Sequence, residues 1–166
     1  VNGDGFGDVV IGAPSDSSYG SSSGSVYVYS GKDGSLIYNI FGKSERLDFG
    51  YVVKAIGDMN GDGITDFGVG APALYSELSP GQVYFFSGKD GSELLRLSKG
   101  GIDDQFGRTI DELGDINNDG LLDFIVGAPK IDSDDGTGST GRAYVFSGLE
   151  GNTLYEFNGV EAGSRF

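Results

Sequence analysis

The stretch GDMNGDGITDFGVGAP, residues 57–72, decides the fold of this chain. Oxygen-bearing side chains stand at alternate positions before an apolar run that ends in Gly-Ala-Pro, and they belong to Asp58, Asn60, Asp62 and Asp66. The pattern returns at residues 114–129 and, without its first residues, at residues 1–14. A pattern that occurs three times in 166 residues indicates a repeat protein.

Short landmarks recur with one period. Gly-Ala-Pro begins at Gly12, Gly70 and Gly127, so it returns after 58 and then 57 residues. Phe-Gly begins at Phe49 and again 57 residues later at Phe106. Repeats of this length that contain several short apolar runs are typical of blades in a β-propeller.

The middle repeat contains four apolar runs that predict strands at residues 51–56, 67–69, 82–86 and 94–97. The third strand of each repeat is apolar at every position, as in Val26-Tyr27-Val28-Tyr29. Such a strand is buried on both faces, which a blade between two neighbours requires, whereas a β-sandwich strand alternates with polar residues. The sequence therefore predicts an all-β segment of a β-propeller with four-stranded antiparallel blades.

We expect about three blades in a single segment, residues 1–166, with repeats at about 1–48, 49–105 and 106–165. Because Val1 stands inside the first copy of the loop, the first blade is expected to lack its first strand. Closed propellers need about four to eight blades, so the ring is incomplete. The chain is then either a piece of a larger propeller, the alternative we favour, or a unit of which several copies assemble.

The three loops predict calcium sites. Calcium takes six to eight oxygen ligands, and a short loop can present them from alternate residues. If the first aspartate is position one, positions three, five and nine also carry oxygen, position seven offers its backbone carbonyl, and a glycine at position six permits a sharp turn. The predicted ligands are Asn2, Asp4, Phe6 (carbonyl) and Asp8; Asp58, Asn60, Asp62, Ile64 (carbonyl) and Asp66; and Asp115, Asn117, Asp119, Leu121 (carbonyl) and Asp123.

Other interpretations of the loops fit less well. An EF-hand needs a glutamate at position twelve and flanking helices, but that position holds Ile11, Val69 or Val126. Asp/Asn/Gly turns without metal are common, yet eight carboxylates crowd the three loops and repel unless a cation compensates. Magnesium prefers stricter octahedral geometry. We expect about three structural calcium sites, of which the first, without its leading aspartate, is the weakest.

Composition excludes several functions. The net charge is −14, which opposes binding to nucleic acid. Without cysteine or histidine the chain has no disulfide, no thiolate site and no histidine base or ligand. No apolar run is long enough to span a membrane, and the start of the chain does not resemble a signal peptide, so we expect a soluble, mature or trimmed chain. No nucleophile–base pair or phosphate loop is evident, and we expect no catalytic activity.

The landmarks resemble the FG-GAP repeats of the integrin α-subunit propeller and its bacterial and archaeal relatives. Phe49-Gly50 and Phe106-Gly107 match the first half of that name, and the three Gly-Ala-Pro sequences match the second, with the loop between them in the expected order. The resemblance implies a seven-bladed propeller in an extracellular, secreted or cell-surface protein. It also implies structural calcium in the loop that joins the first two strands of a blade. Nothing beyond the repeats is specific to integrins.

The segments that differ among the repeats predict where a partner binds. They are the loops 15–23, 73–80 and 130–140 and the links 43–48 and 100–105, all at the end of the sheets opposite the calcium loops. Tyr19, Tyr75 and the cluster Asp132, Asp134 and Asp135 are the candidate contacts. The leading hypothesis is an adhesion or recognition scaffold for a protein or glycan. The alternatives are a structural subunit of a surface layer or filament and a non-catalytic module of a secreted polysaccharide-active enzyme.

Overall fold

The computed structural model describes residues 1–132, 138–161 and 163. Their regular structure consists of eleven antiparallel strands in three sheets. The strands are β1 (Val9–Ala13), β2 (Ser25–Tyr29), β3 (Leu36–Phe41), β4 (Val52–Ala55), β5 (Phe67–Ala71), β6 (Gln82–Phe86), β7 (Glu93–Leu97), β8 (Thr109–Gly114), β9 (Asp123–Ala128), β10 (Arg142–Ser147) and β11 (Asn152–Asn158).

Each sheet follows the order of the chain, β1-β2-β3, β4-β5-β6-β7 and β8-β9-β10-β11, and we call them the first, second and third blades. The first blade has three strands and the others have four, so the predicted propeller segment with an incomplete first blade is confirmed. In the second blade, β6 has its predicted bounds, while β5 extends two residues further, β7 starts one residue earlier and β4 is shorter at both ends. No helix in the described residues is long and apolar enough to cross a membrane.

The core lies between the blades. One buried cluster joins the first and second blades around Val26, Val28, Phe67 and Val69, and another joins the second and third blades around Phe85, Phe124 and Phe146. In the second blade β6 is buried on both faces, as predicted, since Val83 and Phe85 are 0% exposed and Phe86 is 4% exposed. In the first blade, Val26 and Val28 on one face of β2 are buried, whereas Tyr27 and Tyr29 on the other face are half-buried. Burial of apolar surface between sheets is therefore the main stabilising contribution.

The Phe-Gly and Gly-Ala-Pro landmarks meet between blades. Phe49 contacts the rings of Tyr84 and Phe86 edge-on, with centroids 5.2 and 5.9 Å away. A Cβ at Gly12 would lie 1.9 Å from the carbonyl oxygen of Gly50, so both positions need the close approach that glycine allows. The same contact joins Gly70 to Gly107 at 2.1 Å. The landmarks are thus the contact points of consecutive blades.

The antiparallel order gives the sheets two distinct ends. The loops that carry the predicted ligands, such as residues 57–66 between β4 and β5, share one end with the turns after β2, β6 and β10, such as residues 87–92. We call this the metal-loop end. The opposite end, which we call the variable end, carries the loops 15–23, 73–80 and 130–140 and the links between blades.

Candidate metal centre

The second loop is organised by its own polar side chains. Asp58 accepts hydrogen bonds from three backbone N–H groups, those of Gly61 at 2.8 Å, Asp62 at 3.1 Å and Gly63 at 2.8 Å. These bonds, that of Gly63 first, lower the pKa of Asp58 because they favour its charged form. Asp62 in turn accepts from the N–H of Ile64 at 2.9 Å. The backbone of residues 61–63 therefore wraps around the carboxylate of Asp58.

The three loops share one backbone conformation. Position six is left-handed in each, with φ of +87° at Gly5, +83° at Gly63 and +87° at Gly120. Position four is also left-handed in each loop, and in the third loop it is Asn118, with φ of 60°. Asparagine is among the few residues that adopt this conformation readily. The predicted turn at position six is present in all three loops.

Position nine differs from the other acidic positions because it is buried. Asp66 is 0% exposed, and its two oxygens accept the N–H of Met59 at 2.8 Å and of Gly88 at 2.9 Å. Burial raises the pKa of Asp66, although these hydrogen bonds oppose the shift. Asp123 makes the same pair of bonds, to Ile116 at 2.8 Å and Gly148 at 3.3 Å. The carboxylate at position nine therefore joins the loop to the turn after the third strand.

This connection was missed by sequence reasoning, although a signal existed. Gly31, Gly88 and Gly148 follow Asp8, Asp66 and Asp123 at similar distances along the chain. Asp8 accepts the N–H of Gly31 and of Asn2, both at 3.0 Å. Although burial opposes the shift, these bonds lower the pKa of Asp8. The glycine of the Ser-Gly pairs that begin at Ser30, Ser87 and Ser147 is thus the partner of the ninth loop position.

The side chains also contact one another, and here the loops differ. The Asn60 amide donates to Asp62 at 3.2 Å, and the Asn117 amide donates to Asp119 at 2.8 Å. In the third loop, the Ser147 hydroxyl also donates to Asp119 at 2.8 Å. Besides the bond from Asn2 N–H to Asp8, the first loop has the bonds from Asp4 N–H to Asn2 and from Phe6 N–H to Asp4, at 3.0 and 2.9 Å. The loop without a position-one aspartate therefore has the fewest internal bonds of the three.

The donor chemistry of the loops fits a hard cation. Each offers carboxylate and amide oxygens at the predicted positions, and a carboxylate oxygen that accepts one N–H retains a second lone pair. In the described residues, however, no group of three or more acidic, histidine or cysteine side chains converges into a metal cluster. The predicted ligands of each loop are neighbours in sequence, and their binding of calcium stays a prediction.

Comparison with known proteins identifies the repeats. The FG-GAP repeat family model matches residues 1–29 and 112–146, which include the first and third loops. The chain carries FG-GAP repeats. It is 33% identical to integrin alpha-4 of Xenopus laevis over 96% of its own length and 33% identical to integrin alpha-V of Gallus gallus over 89%. These alignments cover 15% and 14% of the two relatives, so the chain spans about a seventh of their length.

At the variable end, the FG-GAP blades are closed by contacts that differ from blade to blade. In the first blade, Asp16 accepts hydroxyl hydrogen bonds from Ser18 at 2.6 Å, Ser25 at 2.7 Å and Tyr27 at 3.0 Å. These bonds, that from Ser18 first, lower the pKa of Asp16. In the second blade, Asp48 accepts the N–H of Leu74 at 2.9 Å, and burial raises its pKa. The side-chain contacts that stabilise the variable-end loops therefore differ between the first and second blades.

The predicted partner contacts lie at this variable end. Tyr75 is 80% exposed and borders a shallow depression with Ile102 and Lys130. Tyr19 is 65% exposed, with its ring centroid 4.7 Å from that of Phe41. Asp132 accepts a hydrogen bond from Ser139 at 2.9 Å. Asp134 and Asp135 lie outside the described residues.

Proposed function

We propose that this chain is a calcium-stabilised, extracellular segment of a β-propeller that binds a protein or glycan partner as an adhesion or recognition scaffold. The observation that carries the proposal is the recurrence of one loop conformation, with oxygens at the same positions, in three FG-GAP blades. The likeness to integrin α-subunits supports an extracellular setting. Catalysis is not part of the proposal.

Calcium has a structural role in this proposal. Held by Asp58, Asn60, Asp62, the carbonyl of Ile64 and Asp66, it neutralises carboxylates that otherwise repel. Because Asp66 also bonds the turn at Gly88, a cation in the loop stabilises two connections of the blade together. The third loop takes the equivalent residues, from Asp115 to Asp123, and the first loop offers the smallest ligand set. Three divalent ions change the net charge from −14 to about −8.

Thermal unfolding with and without calcium tests the metal part of the proposal. The chain is first treated with a chelator and dialysed, and calcium is then added at 2 mM and compared with the same concentration of magnesium. A ligand that binds only the native state raises its stability by mass action, so calcium is expected to raise the melting temperature more than magnesium does. Identical melting curves with calcium and chelator would contradict the calcium sites.

The partner is proposed to bind at the variable end, because the metal-loop end repeats one geometry in every blade. The supporting features are the exposed side chains of Tyr75 and Leu78, 80% and 86% accessible, and the ion pair of Lys130 with Asp103 at 3.0 Å, which borders the same depression as Tyr75. Binding to arrays of glycans and of extracellular matrix proteins is the test. Tyr75→Ala is expected to reduce the signal, whereas Leu36→Ala, at the exposed start of β3 near the metal-loop end, serves as the control. Equal loss in both variants would argue against this surface.

The exposed apolar residues on the outer faces of the first and third blades favour a second function. Val9 and Ile11 of the first blade are 49% and 48% exposed, and Tyr155 and Phe157 of the third blade are 55% and 47% exposed. The equivalent residues of the second blade pack against neighbouring blades. The rest of the propeller therefore comes from further sequence or from other chains, as in a surface layer or filament. Light scattering distinguishes these sources: a defined, calcium-dependent oligomer supports assembly of copies, and a monomer supports a segment of a longer chain.

A further inference from the structure

A groove lies between the first and second blades, and we call it the interblade groove. It contains a cavity of about 200 Å³ lined by Ile40 and Phe41 of β3 and by Tyr84 of β6 and Arg96 of β7. The buried Phe49 also lines it. Sites for drug-sized ligands occupy about 300–1,000 Å³, so this cavity suits a smaller group, such as a single sugar ring.

Arg96 is held at the groove by two neighbouring side chains. Its Nε and Nη2 groups donate to the two carboxylate oxygens of Glu93 at 2.9 and 2.8 Å, and its guanidinium lies 4.9 Å from the centre of the Tyr84 ring. Its Nη1 group donates no hydrogen bond within the described residues. Each oxygen of Glu93 retains a second lone pair. A donor and an acceptor therefore lie side by side, and a hydroxyl group can bond to both.

Two further polar residues line the groove. The side-chain oxygen of Gln82 accepts the hydroxyl of Tyr84 at 2.5 Å, which leaves the amide NH2 of Gln82 as a donor. Lys43, in the link to the second blade, is exposed and has no ion-pair partner in the part of the chain that the structure describes. The charged residues of the groove are thus two cations, Lys43 and Arg96, and one carboxylate, Glu93.

The corresponding interface between the second and third blades has a different set of charges. The tyrosine of the third strand is retained there as Tyr144, but Glu156 takes the place of Arg96, and Gly100 takes that of Lys43. Both interfaces nevertheless pack with buried aromatic cores. The packing of blades therefore does not depend on the polar residues of the interblade groove.

These groups together indicate the chemistry of a ligand. The positive groove favours an anion although the whole chain is acidic, because charges more than about 10 Å away are largely screened by salt. Glu93 and the Nη1 group of Arg96 favour a ligand with hydroxyl groups. Phe41, whose ring centroid lies 4.7 Å from that of the exposed Tyr19, offers an aromatic surface to C–H groups. A sugar acid has all three features.

We propose that the interblade groove binds a hexuronic acid, as one unit of an acidic polysaccharide. Lys43 binds the carboxylate, Arg96 and Glu93 bind a ring hydroxyl, and Phe41 packs against the C–H face of the ring. An acidic peptide supplies a carboxylate but no hydroxyl for Glu93, so it satisfies less of the site. The inference goes beyond the proposed function, because the groove does not include the partner surface around Tyr75.

The test compares methyl β-D-glucuronide with methyl β-D-glucoside, which has a hydroxymethyl group in place of the carboxylate. Each is titrated into the intact 166-residue chain in 2 mM calcium and followed by NMR. The glucuronide is expected to shift the Arg96 Nε–H and Gln82 amide signals saturably and to bind about 2- to 5-fold more tightly than the glucoside, because it gains an ion pair. Equal binding of the two sugars, or shifts confined to the metal loops, would overturn the site.

Substitutions at Lys43 test the carboxylate contact. Lys43→Ala is expected to abolish the preference for the glucuronide, and Lys43→Arg is expected to retain it. Lys89→Ala, which removes an exposed lysine from the turn after β6, is the matched control and should leave the preference unchanged. A preference that persists in Lys43→Ala would overturn the assigned contact.

A peptide distinguishes a sugar from a carboxylate alone. Acetyl-Gly-Glu-Gly-amide is expected to bind more weakly than the glucuronide, because it has no hydroxyl group for Glu93 and Arg96. Equal or tighter binding of the peptide would overturn the assignment to a sugar acid. Because the calcium melts and the Tyr75 variant do not involve this groove, failure here is distinguishable from failure of the proposed function.

Discussion

The two ends of the sheets differ in how their loops are held. At the metal-loop end, Asp66 and Asp123 make the same two backbone contacts in successive blades, and positions four and six have the same left-handed backbone. At the variable end, Asp16 binds three hydroxyl groups within its own blade, whereas Asp48 binds the backbone of the next loop. The metal-loop end therefore has the same contacts in successive blades, whereas the contacts at the variable end differ from blade to blade, as is typical of a binding surface.

The largest expected effect comes from removing the buried carboxylate at the metal-loop end. Asp66→Ala leaves the buried N–H groups of Met59 and Gly88 without their acceptor, at a cost of about 1–3 kcal/mol each. We expect the free energy of unfolding to fall by about 2–5 kcal/mol in urea titrations. The titrations are made in chelator so that loss of metal does not contribute.

The control for this prediction is Asp62→Ala under the same conditions. Asp62 is exposed, and its carboxylate accepts hydrogen bonds from within the loop, from the N–H of Ile64 and the side-chain amide of Asn60. Equal losses in the two variants would mean that position nine has no special structural role.

The next effect concerns the backbone contact between blades at the variable end. Gly70→Ala places a Cβ about 2.1 Å from the carbonyl oxygen of Gly107, an overlap expected to cost about 1–3 kcal/mol in urea unfolding. Gly127→Ala is the matched variant, since its Cβ meets only the Thr109 hydroxyl, 2.5 Å away, which can rotate. If both variants lose the same stability, the close approach of Gly70 and Gly107 is not what restricts the position to glycine.

Calcium binding itself should have a smaller effect. At 20-fold excess over its dissociation constant, one site adds about 1.8 kcal/mol, and Asp62→Asn should remove up to that amount of the calcium-dependent gain. Asp33→Asn changes a carboxylate of the turn after β2, also at the metal-loop end, and should leave the gain intact. The measurement is the difference in unfolding free energy between calcium and chelator for each variant.

The smallest effect is a pH dependence at the variable end. Burial raises the pKa of Asp48 above its unfolded value, so ionised Asp48 destabilises the fold at neutral pH, and stability recovers as the pH falls through the raised pKa. Asp48→Asn should remove this dependence. The pKa of Asp16 is lowered, so its contribution is present above the unfolded pKa and is lost as the pH falls through the folded one. As the pH falls from 7 to 3, the free energy of unfolding should therefore fall more steeply in Asp48→Asn than in the unsubstituted chain, and less steeply in Asp16→Asn.

The repeat period made the fold accessible from sequence. Gly12, Gly70 and Gly127 gave the number of blades, and the uniformly apolar residues 83–86 indicated burial on both faces. The alternating oxygens of the loops predicted a shared turn, which is present. What the pattern could not reveal are contacts between distant residues, such as Asp66 with Gly88 or Lys54 with Asp111. Local periodicity specifies which face a side chain occupies, but not which residue of another strand lies opposite.

The glycine contacts have a consequence for cooperativity. Gly50 lies in the second blade and rests on Gly12 of the first, while Gly107 of the third rests on Gly70 of the second. The Phe-Gly of one repeat thus contacts the Gly-Ala-Pro of the repeat before it. Because this contact forms only between two blades, a single sequence repeat is not an independent folding unit. Stability then depends on nearest-neighbour coupling, as in other linear arrays. Among the three sheets, the second has a neighbour on each face, and its amide protons should exchange most slowly with solvent.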